Sequence, residues 1–386
     1  MSDVRITLKG MRWWRTGHPW LYRDDIAKGD KASAGDLVRV VGPGGDFLGQ
    51  YFFNPASKIA LRLVSRDEAF VDRAAWEHRL RQALAYRQRV VRDSTACRVI
   101  ASEADGFPGL IVDRYGDVLV LQSTSLGIER VLPILVDLLQ EVMRPSAIVA
   151  RHDVSVRKLE GLPSESKLLA GERPGPLEIQ EGPCRFVVDV WAGQKTGWYL
   201  DQRENRQAAA RYARGRALDM FAYQGGFACH LARVAESVVA VDSSEAAVTK
   251  IAEHAALNGL ANVTPVHAKA FDYLKRADQD SVRFDTIILD PPAFAKAKTD
   301  VPAATRGYKE LNLRALKLLT PGGHLITCSC SHNLDDAAFL DILRDAAADA
   351  GRTVRVVESR TQSLDHPILL TLPESKYLKC CVLEVM

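Results

Sequence analysis

The sequence lacks the features by which disulfide-rich, zinc-binding and membrane-spanning chains are recognised. Its 386 residues include only seven cysteines, an odd number with no C-x-x-C pair and no metal-like Cys/His spacing. Such usage is typical of thiols in a reducing compartment, so we expect neither disulfides nor zinc. No apolar run approaches the ~20 residues of a membrane span, and the first residues carry charges where a secretory signal has an apolar core. We therefore expect a cytoplasmic protein.

The net charge is small, and its distribution is more informative than its size. At +3, with a pI near 8.4, the whole chain does not demand a polyanionic partner. Basic and aromatic side chains are nevertheless interleaved near the start: Arg5, Lys9, Arg12, Trp13, Trp14, Arg15, Trp20, Tyr22 and Arg23. Guanidinium groups contact phosphates and aromatic rings stack on unpaired bases, so this cluster favours RNA. The alternative is that the rings are core residues and the arginines are solvated.

A strand, a glycine turn, a helix and a second strand are predicted between residues 217 and 242. Glycines in the turn Tyr223-Gln224-Gly225-Gly226 let the backbone approach a ligand, and Asp242 at the second strand's end can accept hydrogen bonds from a ribose. The three-glycine spacing of dinucleotide-binding chains is absent, which favours adenosine without a pyrophosphate. S-adenosylmethionine is such a ligand, and the D-x-F-x-x-x-G-G-F arrangement resembles the first motif of the methyltransferases that use it. An ordinary βαβ unit is the alternative.

Short alternating runs between residues 36 and 64, bounded by Gly, Pro and Asn, predict a small β-barrel. The strings Lys9-Gly10, RTGHPW (15–20) and FFNPASKIALRLVS (52–65) resemble the N-terminal PUA domain of the RlmI-like family of large-subunit ribosomal RNA cytosine-C5 methyltransferases. A PUA domain is an RNA-binding module. The resemblance therefore implies ribosomal RNA of the large subunit as the partner.

Three domains are expected from the length and the punctuation of the chain, at about 100–200 residues per domain. Helical spacing predicts a linker helix over 72–93, and strand-like runs followed by a helix over 128–141 predict a small α+β domain. The turn DGFPG and the segment DVSVRK resemble the middle domain of the same family. A Pro- and Gly-rich tract precedes the last domain. We predict a PUA-type domain at 1–71, a linker helix with a middle domain at 72–182, and a methyltransferase domain at 183–386.

Apolar strands alternate with helical patterns in the last domain, which predicts an α/β, Rossmann-like class I methyltransferase sheet with ligands at the carboxyl ends of its strands. Four aspartates fall at or near such ends: Asp219, Asp242, Asp272 and Asp290. Asp272 is predicted to accept a hydrogen bond from the adenine amino group, and Phe271 to cover the ring. Helix capping is the alternative for Asp272.

The string GQKTGWYLDQRENR (193–206) resembles a family segment that packs beside the cofactor. The resemblance implies that Gln202, Arg203 and Lys195 reach the site, whereas Asp201 is predicted to cap the next helix. The residues predicted to bind S-adenosylmethionine are Asp219, Phe221, Tyr223, Gly225, Asp242, Ser243, Phe271, Asp272, Asp290 and Gln202.

The turn Pro321-Gly322-Gly323 precedes a predicted strand that ends in two cysteines. Carbon 5 of cytosine is a poor nucleophile, and addition of a thiolate to carbon 6 makes it part of an enamine that can attack a methyl donor. Strand alternation puts Cys328 and Cys330 on the same face, so periodicity does not choose between them. The string Ser329-Cys330-Ser331 matches the family's S-C-S motif. The match implies that Cys330 is the nucleophile and that Cys328 is a buried core residue.

The loop Asp290-Pro291-Pro292 closes the fourth predicted strand and suits recognition of a planar base beside the methyl donor. We predict Cys330 and Asp290 as the catalytic residues, with His332 or Asp290 as candidates for moving the proton. The family also suggests His366 as a neighbour of the site. Beyond this, Leu369–Leu372 and Tyr377–Val385 are predicted to form a closing hairpin.

The leading prediction is an S-adenosylmethionine-dependent methyltransferase that forms 5-methylcytosine in 23S ribosomal RNA. One alternative is a base N-methyltransferase that uses Asp290 and the prolines, with Cys330 merely packed. Another is a non-catalytic RNA-binding assembly factor. The oligomeric state, a homodimer included, and the identity of the modified cytosine stay open.

Overall fold

The computed structural model describes residues 1–27, 32–295 and 297–386, and the chain divides into two compact units. The first unit comprises Met1–Ile179, Val187–Leu200 and Leu364–Ser375. The second comprises Gln180–Phe186, Asp201–Ser363 and Lys376–Met386. Within the described residues of both units, we find no helix with the length and apolar character needed to cross a membrane.

Among its described residues, the first unit contains two five-stranded sheets and four α-helices. Its strands are β1 Asp3–Arg5, β2 Trp20–Tyr22, β3 Leu37–Val41, β4 Phe47–Phe53, β5 Ile59–Ser65, β6 Ala96–Ala101, β7 Leu110–Tyr115, β8 Val118–Ser123, β9 Ala147–Arg151 and β10 Ser166–Gly171. Its helices are α1 Leu8–Trp14, α2 Arg73–Val90, α3 Leu126–Met143 and α4 Val156–Leu159. One sheet has the order β1-β3-β4-β5-β2 and the other β10-β9-β8-β7-β6. The predicted strands between residues 36 and 64 correspond to β3, β4 and β5.

Helix α2 begins where the sequence predicted the linker helix, because the side chain of Asp72 accepts the backbone N–H of Ala75 at 2.9 Å. Its buried Trp76 stacks on Phe52 of β4, with ring centroids 6.3 Å apart and planes at 9°. Both rings belong to a core that also contains Phe107 and many residues of β6 to β9 and α3. The N-terminal sheet and the following α+β segment are thus packed through a common apolar cluster.

The second unit is built on a seven-stranded sheet. Its strands are β13 Arg216–Met220, β14 Ser237–Asp242, β15 Val263–His267, β16 Phe284–Leu289, β17 Leu319–Ser329, β18 Val354–Arg360 and β19 Lys379–Val385. Two preceding strands, β11 Leu177–Glu181 and β12 Cys184–Val188, pair with each other, and their residues are divided between the units. The helices are α5 Arg203–Tyr212, α6 Gly226–Leu231, α7 Glu245–Leu257, α8 Ala270–Gln279, α9 Val301–Leu318 and α10 Asp336–Asp349.

The strand order of this sheet is β15-β14-β13-β16-β17-β19-β18. Neighbours from β15 to β17 are parallel, whereas β19 runs antiparallel to both β17 and β18. The central strands are almost continuously apolar, as expected for parallel strands covered on both faces. The predicted Rossmann-like class I methyltransferase sheet is confirmed. The parallel strands share one carboxyl edge, and β13, β14 and β16 end there with or next to Asp219, Asp242 and Asp290.

The predicted C-terminal hairpin is only half right. Leu369–Leu372 is not a strand, and β19 pairs instead with β18 in the register Val354↔Val385 to Arg360↔Cys380. Prolines on both sides, Pro367 and Pro373, restrict the segment, and Leu370 is 92% exposed, so no sheet buries it. Cys380 and Cys381 lie in β19 and are buried.

Candidate active site

The turn after β13 has an unusual backbone. Phe221 and Tyr223 have φ values of 63° and 49°, in the left-handed region, and Gly225 has a φ of 82°. Non-glycine residues in this region cost about 1–3 kcal/mol each and cluster at ligand sites and switches. Gly225 adopts its conformation without that cost and is the N-cap of α6. The sequence predicted Phe221, Tyr223 and Gly225 as site residues, and the strain of the first two supports a binding role for this turn.

Asp242 holds this turn against the end of β14. One carboxylate oxygen accepts the N–H of Tyr223 and the other the N–H of Ser244, each at 2.9 Å. Asp242 is partly exposed and its neighbour Ser243 is exposed. Because each carboxylate oxygen can accept a second hydrogen bond, Asp242 is able to bind a hydroxyl pair as well as the turn.

Two buried acceptors near the same turn are unsatisfied. Asp219 accepts the N–H of Ala228 through one oxygen at 2.9 Å, but its other oxygen, and Oε1 of Gln224, have no partner among the described residues. Burial raises the pKa of Asp219 well above its usual value, and the charges of Asp290 and Asp242 raise it further. Buried acceptors normally have a donor. A ligand with an ammonium group and hydroxyls, such as S-adenosylmethionine, fits these residues because it brings both donors and positive charge.

Asp290 follows β16 and is held from one side by Gln202, the N-cap of α5. Nε2 of Gln202 donates to Oδ1 of Asp290 at 2.9 Å, and Oε1 of Gln202 accepts from Asn205 at 2.7 Å. Gln202 itself is buried. The sequence predicted both Gln202 and Asp290 at the site, and the structure joins them, although nothing in the sequence indicated Asn205.

The two motif cysteines differ in their surroundings. Cys328 lies inside β17 and is fully buried, and a hydrogen bond with Cys380 together with burial raises the pKa of Cys328 well above its usual value. Cys330 lies just beyond the last residue of β17 and is partly exposed. Its Sγ is 3.9 Å from the carbonyl oxygen of Pro291. Only Cys330 therefore combines accessibility with contact to the loop of Asp290.

The loop after Cys330 is fixed by groups that the sequence did not reveal. Oγ of Ser331 accepts the N–H of Ala295 at 3.2 Å and lies 3.1 Å from the hydroxyl of Tyr308. The ammonium of Lys379 donates to the carbonyls of Ser331 and Leu334 at 2.8 and 2.7 Å. Burial lowers the pKa of Lys379, whereas the charges of Asp336 and Cys330 raise it. A buried cation therefore lies close to the candidate nucleophile.

Some predicted site residues have other surroundings. Phe271 and Asp272 are exposed in the first turn of α8, which begins at Ala270. The alternative prediction that Asp272 caps a helix is wrong, because Lys269 is the N-cap of α8. Capping of α5 by Asp201 is also wrong, because the N-cap is Gln202 and Asp201 instead accepts a hydrogen bond from Tyr377 at 2.9 Å.

The remaining predicted neighbours are described by their own contacts. Arg203 is buried and pairs with Glu204 at 3.3 Å. His332 is exposed, with its ring 5.6 Å from that of Tyr377. Two others belong to the first unit: Lys195, whose ammonium lies 4.5 Å from the Tyr199 ring, and His366, whose Nδ1 lies 3.1 Å from the Asp365 carboxylate.

Comparison with known families and relatives gives two family matches and close curated relatives. Residues 4–66 match the model of a PUA-like domain, and residues 134–369 match that of the S-adenosylmethionine-dependent methyltransferases. The chain is 41% identical to the ribosomal RNA large subunit methyltransferase I of Shewanella denitrificans, over 99% of each chain. It is 39% identical to the protein of the same name from Klebsiella pneumoniae, over 96% of this chain and 94% of the relative.

Solved structures with the same fold are more distant in sequence. The crystal structure of SMU.776 complexed with SAH has a TM-score of 0.86, with 21% identity over the full length of both chains. Trm5b from Pyrococcus abyssi has a TM-score of 0.54, with 17% identity over 100% of this chain and 98% of that chain. At these identities the likeness concerns the fold.

Proposed function

The chain belongs to the ribosomal RNA large subunit methyltransferase I family of S-adenosylmethionine-dependent methyltransferases, and from this premise we propose that it forms 5-methylcytosine in 23S ribosomal RNA through a covalent adduct with Cys330. Its cofactor is S-adenosylmethionine. The N-terminal PUA-like segment is an RNA-binding type of module, which fits a ribosomal RNA substrate.

The observation that carries this proposal is the position of the Cys330 thiol. It is partly exposed beyond the end of β17 and 3.9 Å from the carbonyl of Pro291, in the Asp290-Pro291-Pro292 loop. Methylation of a base nitrogen needs no such thiol, whereas methylation of carbon 5 does. Cys328 is a poor candidate for the same role because it is buried and its pKa is raised.

In the proposed reaction, the thiolate of Cys330 adds to carbon 6 of cytosine, which makes carbon 5 nucleophilic. When bound, S-adenosylmethionine supplies the methyl group on its sulfonium, and carbon 5 takes it. A base then removes the proton from carbon 5, the bond between sulfur and carbon 6 breaks, and the thiolate of Cys330 is released. An ordinary cysteine is only a few per cent ionised at neutral pH. The buried ammonium of Lys379 interacts electrostatically with Cys330.

We assign Asp290 to binding of the cytosine ring rather than to activation of the thiol. A carboxylate at this point can accept a hydrogen bond from the exocyclic amine of cytosine, and that bond strengthens as positive charge develops on the ring. The residues predicted to bind S-adenosylmethionine stay those given by the sequence, and the strongest support is for Asp219, Asp242 and the turn between β13 and α6.

The adduct can be trapped with large-subunit ribosomal RNA in which cytidine is replaced by 5-fluorocytidine, because fluorine at carbon 5 cannot leave as a proton. In the presence of S-adenosylmethionine, the wild type and Cys328→Ala should each form a complex that survives denaturing electrophoresis. Cys330→Ala should form none. Cys328→Ala is the matched control, since it removes a thiol only two positions away.

A complex formed by Cys330→Ala would refute the assignment of the nucleophile. If no protein formed a complex while methyl transfer to RNA continued, the base N-methyltransferase would replace this proposal.

A further inference from the structure

A chain of hydrogen bonds leads from the end of β18 to Asp290. Nε of Arg360 donates to Oδ1 of Asn205 at 2.9 Å. Nδ2 of Asn205 donates to Oε1 of Gln202 at 2.7 Å, and Nε2 of Gln202 donates to Oδ1 of Asp290 at 2.9 Å. All four residues belong to the second unit, and the links connect β18, the start of α5 and the loop after β16.

The direction of this chain is fixed by two groups that cannot reverse their roles. A guanidinium only donates, so the oxygen of the Asn205 amide must face Arg360. A backbone carbonyl only accepts, and Nδ2 of Asn205 also donates to the carbonyl of Thr361 at 3.1 Å. With the Asn205 amide fixed, its nitrogen faces Gln202, whose oxygen must accept. The nitrogen of Gln202 then has to face Asp290.

Burial makes this order costly to change. Gln202 is 2% exposed and Asn205 is 1% exposed, so water does not replace a lost partner easily. An amide turned around in this setting would bring two acceptors or two donors together, and a buried polar group without a partner is strongly disfavoured. Oδ1 of Asp290 therefore always meets a donor on this side and acts as an acceptor.

We propose that Asn205 and Arg360 are positioning residues that hold Asp290 as a hydrogen-bond acceptor for the target base and thereby select the exocyclic amine of cytosine. The inference rests on the proposed function and deepens it. The corresponding atom of uracil is an oxygen, which a carboxylate held as an acceptor repels. Neither Asn205 nor Arg360 touches the base. They act through Gln202 and Asp290.

Two variants interrupt the chain of hydrogen bonds at different places. Asn205→Asp keeps the shape of the side chain and its bond with Arg360, but presents an acceptor to Gln202, which turns the Gln202 oxygen toward Asp290. Arg360→Met removes the donor to Oδ1 of Asn205, one of the two groups that orient this amide, and leaves the carbonyl of Thr361 as the other. Arg360→Lys restores one donor, and Glu358→Gln weakens the other contact of Arg360, its ion pair with Glu358, without touching the chain.

The measurements are the kcat and KM for methylation of unmodified large-subunit ribosomal RNA, the calorimetric Kd for S-adenosylmethionine, and the product base. Asn205→Asp should lower kcat roughly 10- to 100-fold, the effect of one charge-assisted hydrogen bond, and Arg360→Met should fall at the lower end of that range, because the carbonyl of Thr361 still accepts from Asn205. KM for RNA and the Kd for S-adenosylmethionine should stay within about twofold, and Arg360→Lys and Glu358→Gln should stay within about threefold of the wild type, since each keeps the chain of donors.

The inference is overturned if Arg360→Met has the kcat of the wild type, or if Arg360→Lys is as impaired as Arg360→Met. It is also overturned if the loss appears in cofactor affinity, as a general loosening of α5 would cause. A wild type that makes no 5-methylcytidine would overturn the proposed function and this inference together. An active wild type with unaffected variants would overturn the inference alone.

Discussion

At the scale of single residues, Asp219 and Asp242 have different surroundings on the same edge of the sheet. Asp219 is buried, and one of its oxygens has no partner within the part of the chain that the structure describes, whereas Asp242 is partly exposed with both oxygens bonded to backbone N–H groups. A cationic part of the cofactor suits the first and the ribose suits the second, because hydroxyls can share an oxygen that already accepts one bond. Asp242 is therefore the residue whose loss should be read most directly in cofactor affinity.

We expect Asp242→Asn to weaken the binding of S-adenosylmethionine by about 1.5–3 kcal/mol, the value of a hydrogen bond to a charged group. Titration calorimetry measures this. The matched control is Asp285→Asn at the other edge of the sheet, where Asp285 also accepts a backbone N–H, that of Arg216, and the hydroxyl of Thr320, each at 2.9 Å. Equal affinity of Asp242→Asn and wild type would remove Asp242 from the ribose.

The sequence predicts the aspartates of this edge because a strand end can be recognised from an apolar run and the residue that closes it. It does not choose between Cys328 and Cys330 by periodicity, since the choice depends on β17 ending at Ser329. Nor does it reveal Arg360, which lies 155 positions from Asn205. The sequence does not predict Lys379 near the site for the same reason, because only the pairing of β17 with β19 brings Lys379 next to Ser329.

At the scale of elements, the arginines in α1 and at its C-cap are exposed, whereas its two tryptophans are partly buried. Arg12 and Arg15 are exposed. Trp13 and Trp14 are partly buried against the core of the N-terminal sheet, and their indole N–H groups donate to the carbonyls of Trp20 and Leu48 at 2.9 and 3.2 Å. We infer that the arginines contribute more to RNA binding than the two indole rings.

The double variant Arg12→Gln/Arg15→Gln should bind large-subunit ribosomal RNA more weakly. Each lost phosphate contact lowers the slope of log K against log salt by about 0.7–0.9, so the slope should fall by roughly 1.4–1.8. The control is Arg81→Gln in α2, where Arg81 pairs with Glu77 at 2.7 Å. A salt dependence unchanged from the wild type would exclude α1 from the RNA-binding surface.

Helices with strong spacing are predicted closely, and segments whose conformation depends on distant partners are not. The predicted linker helix at 72–93 contains α2, and the predicted helix at 128–141 lies within α3. Residues 361–378 were partly predicted as strand, but two prolines and exposed Leu370 leave that segment without a sheet partner. Helix α8 begins at Ala270, and its N-cap Lys269 makes no side-chain capping hydrogen bond.

At the scale of the whole molecule, the length of the chain and its Pro- and Gly-rich tract predict several domains. They do not predict which segments share a core. Phe52 and Val64 pack in one cluster with Trp76 and Phe107, so the residues predicted as PUA-type and middle domains are joined within the first unit. Such contacts are invisible in a linear pattern. The boundaries at 71 and 182 stay a proposal, and point variants are better probes of the N-terminal sheet than its deletion, which would expose Trp76.

The candidate active site lies in the second unit. The central claim is that this site transfers the methyl group to carbon 5 of cytosine. The most direct measurement is the product itself. Unmodified large-subunit ribosomal RNA is incubated with the protein and methyl-labelled S-adenosylmethionine, digested to nucleosides, and analysed by mass spectrometry against nucleoside standards. We predict labelled 5-methylcytidine with the wild type and none with Cys330→Ala. Label in N4-methylcytidine or in another base, or labelled 5-methylcytidine made by Cys330→Ala, would contradict the account.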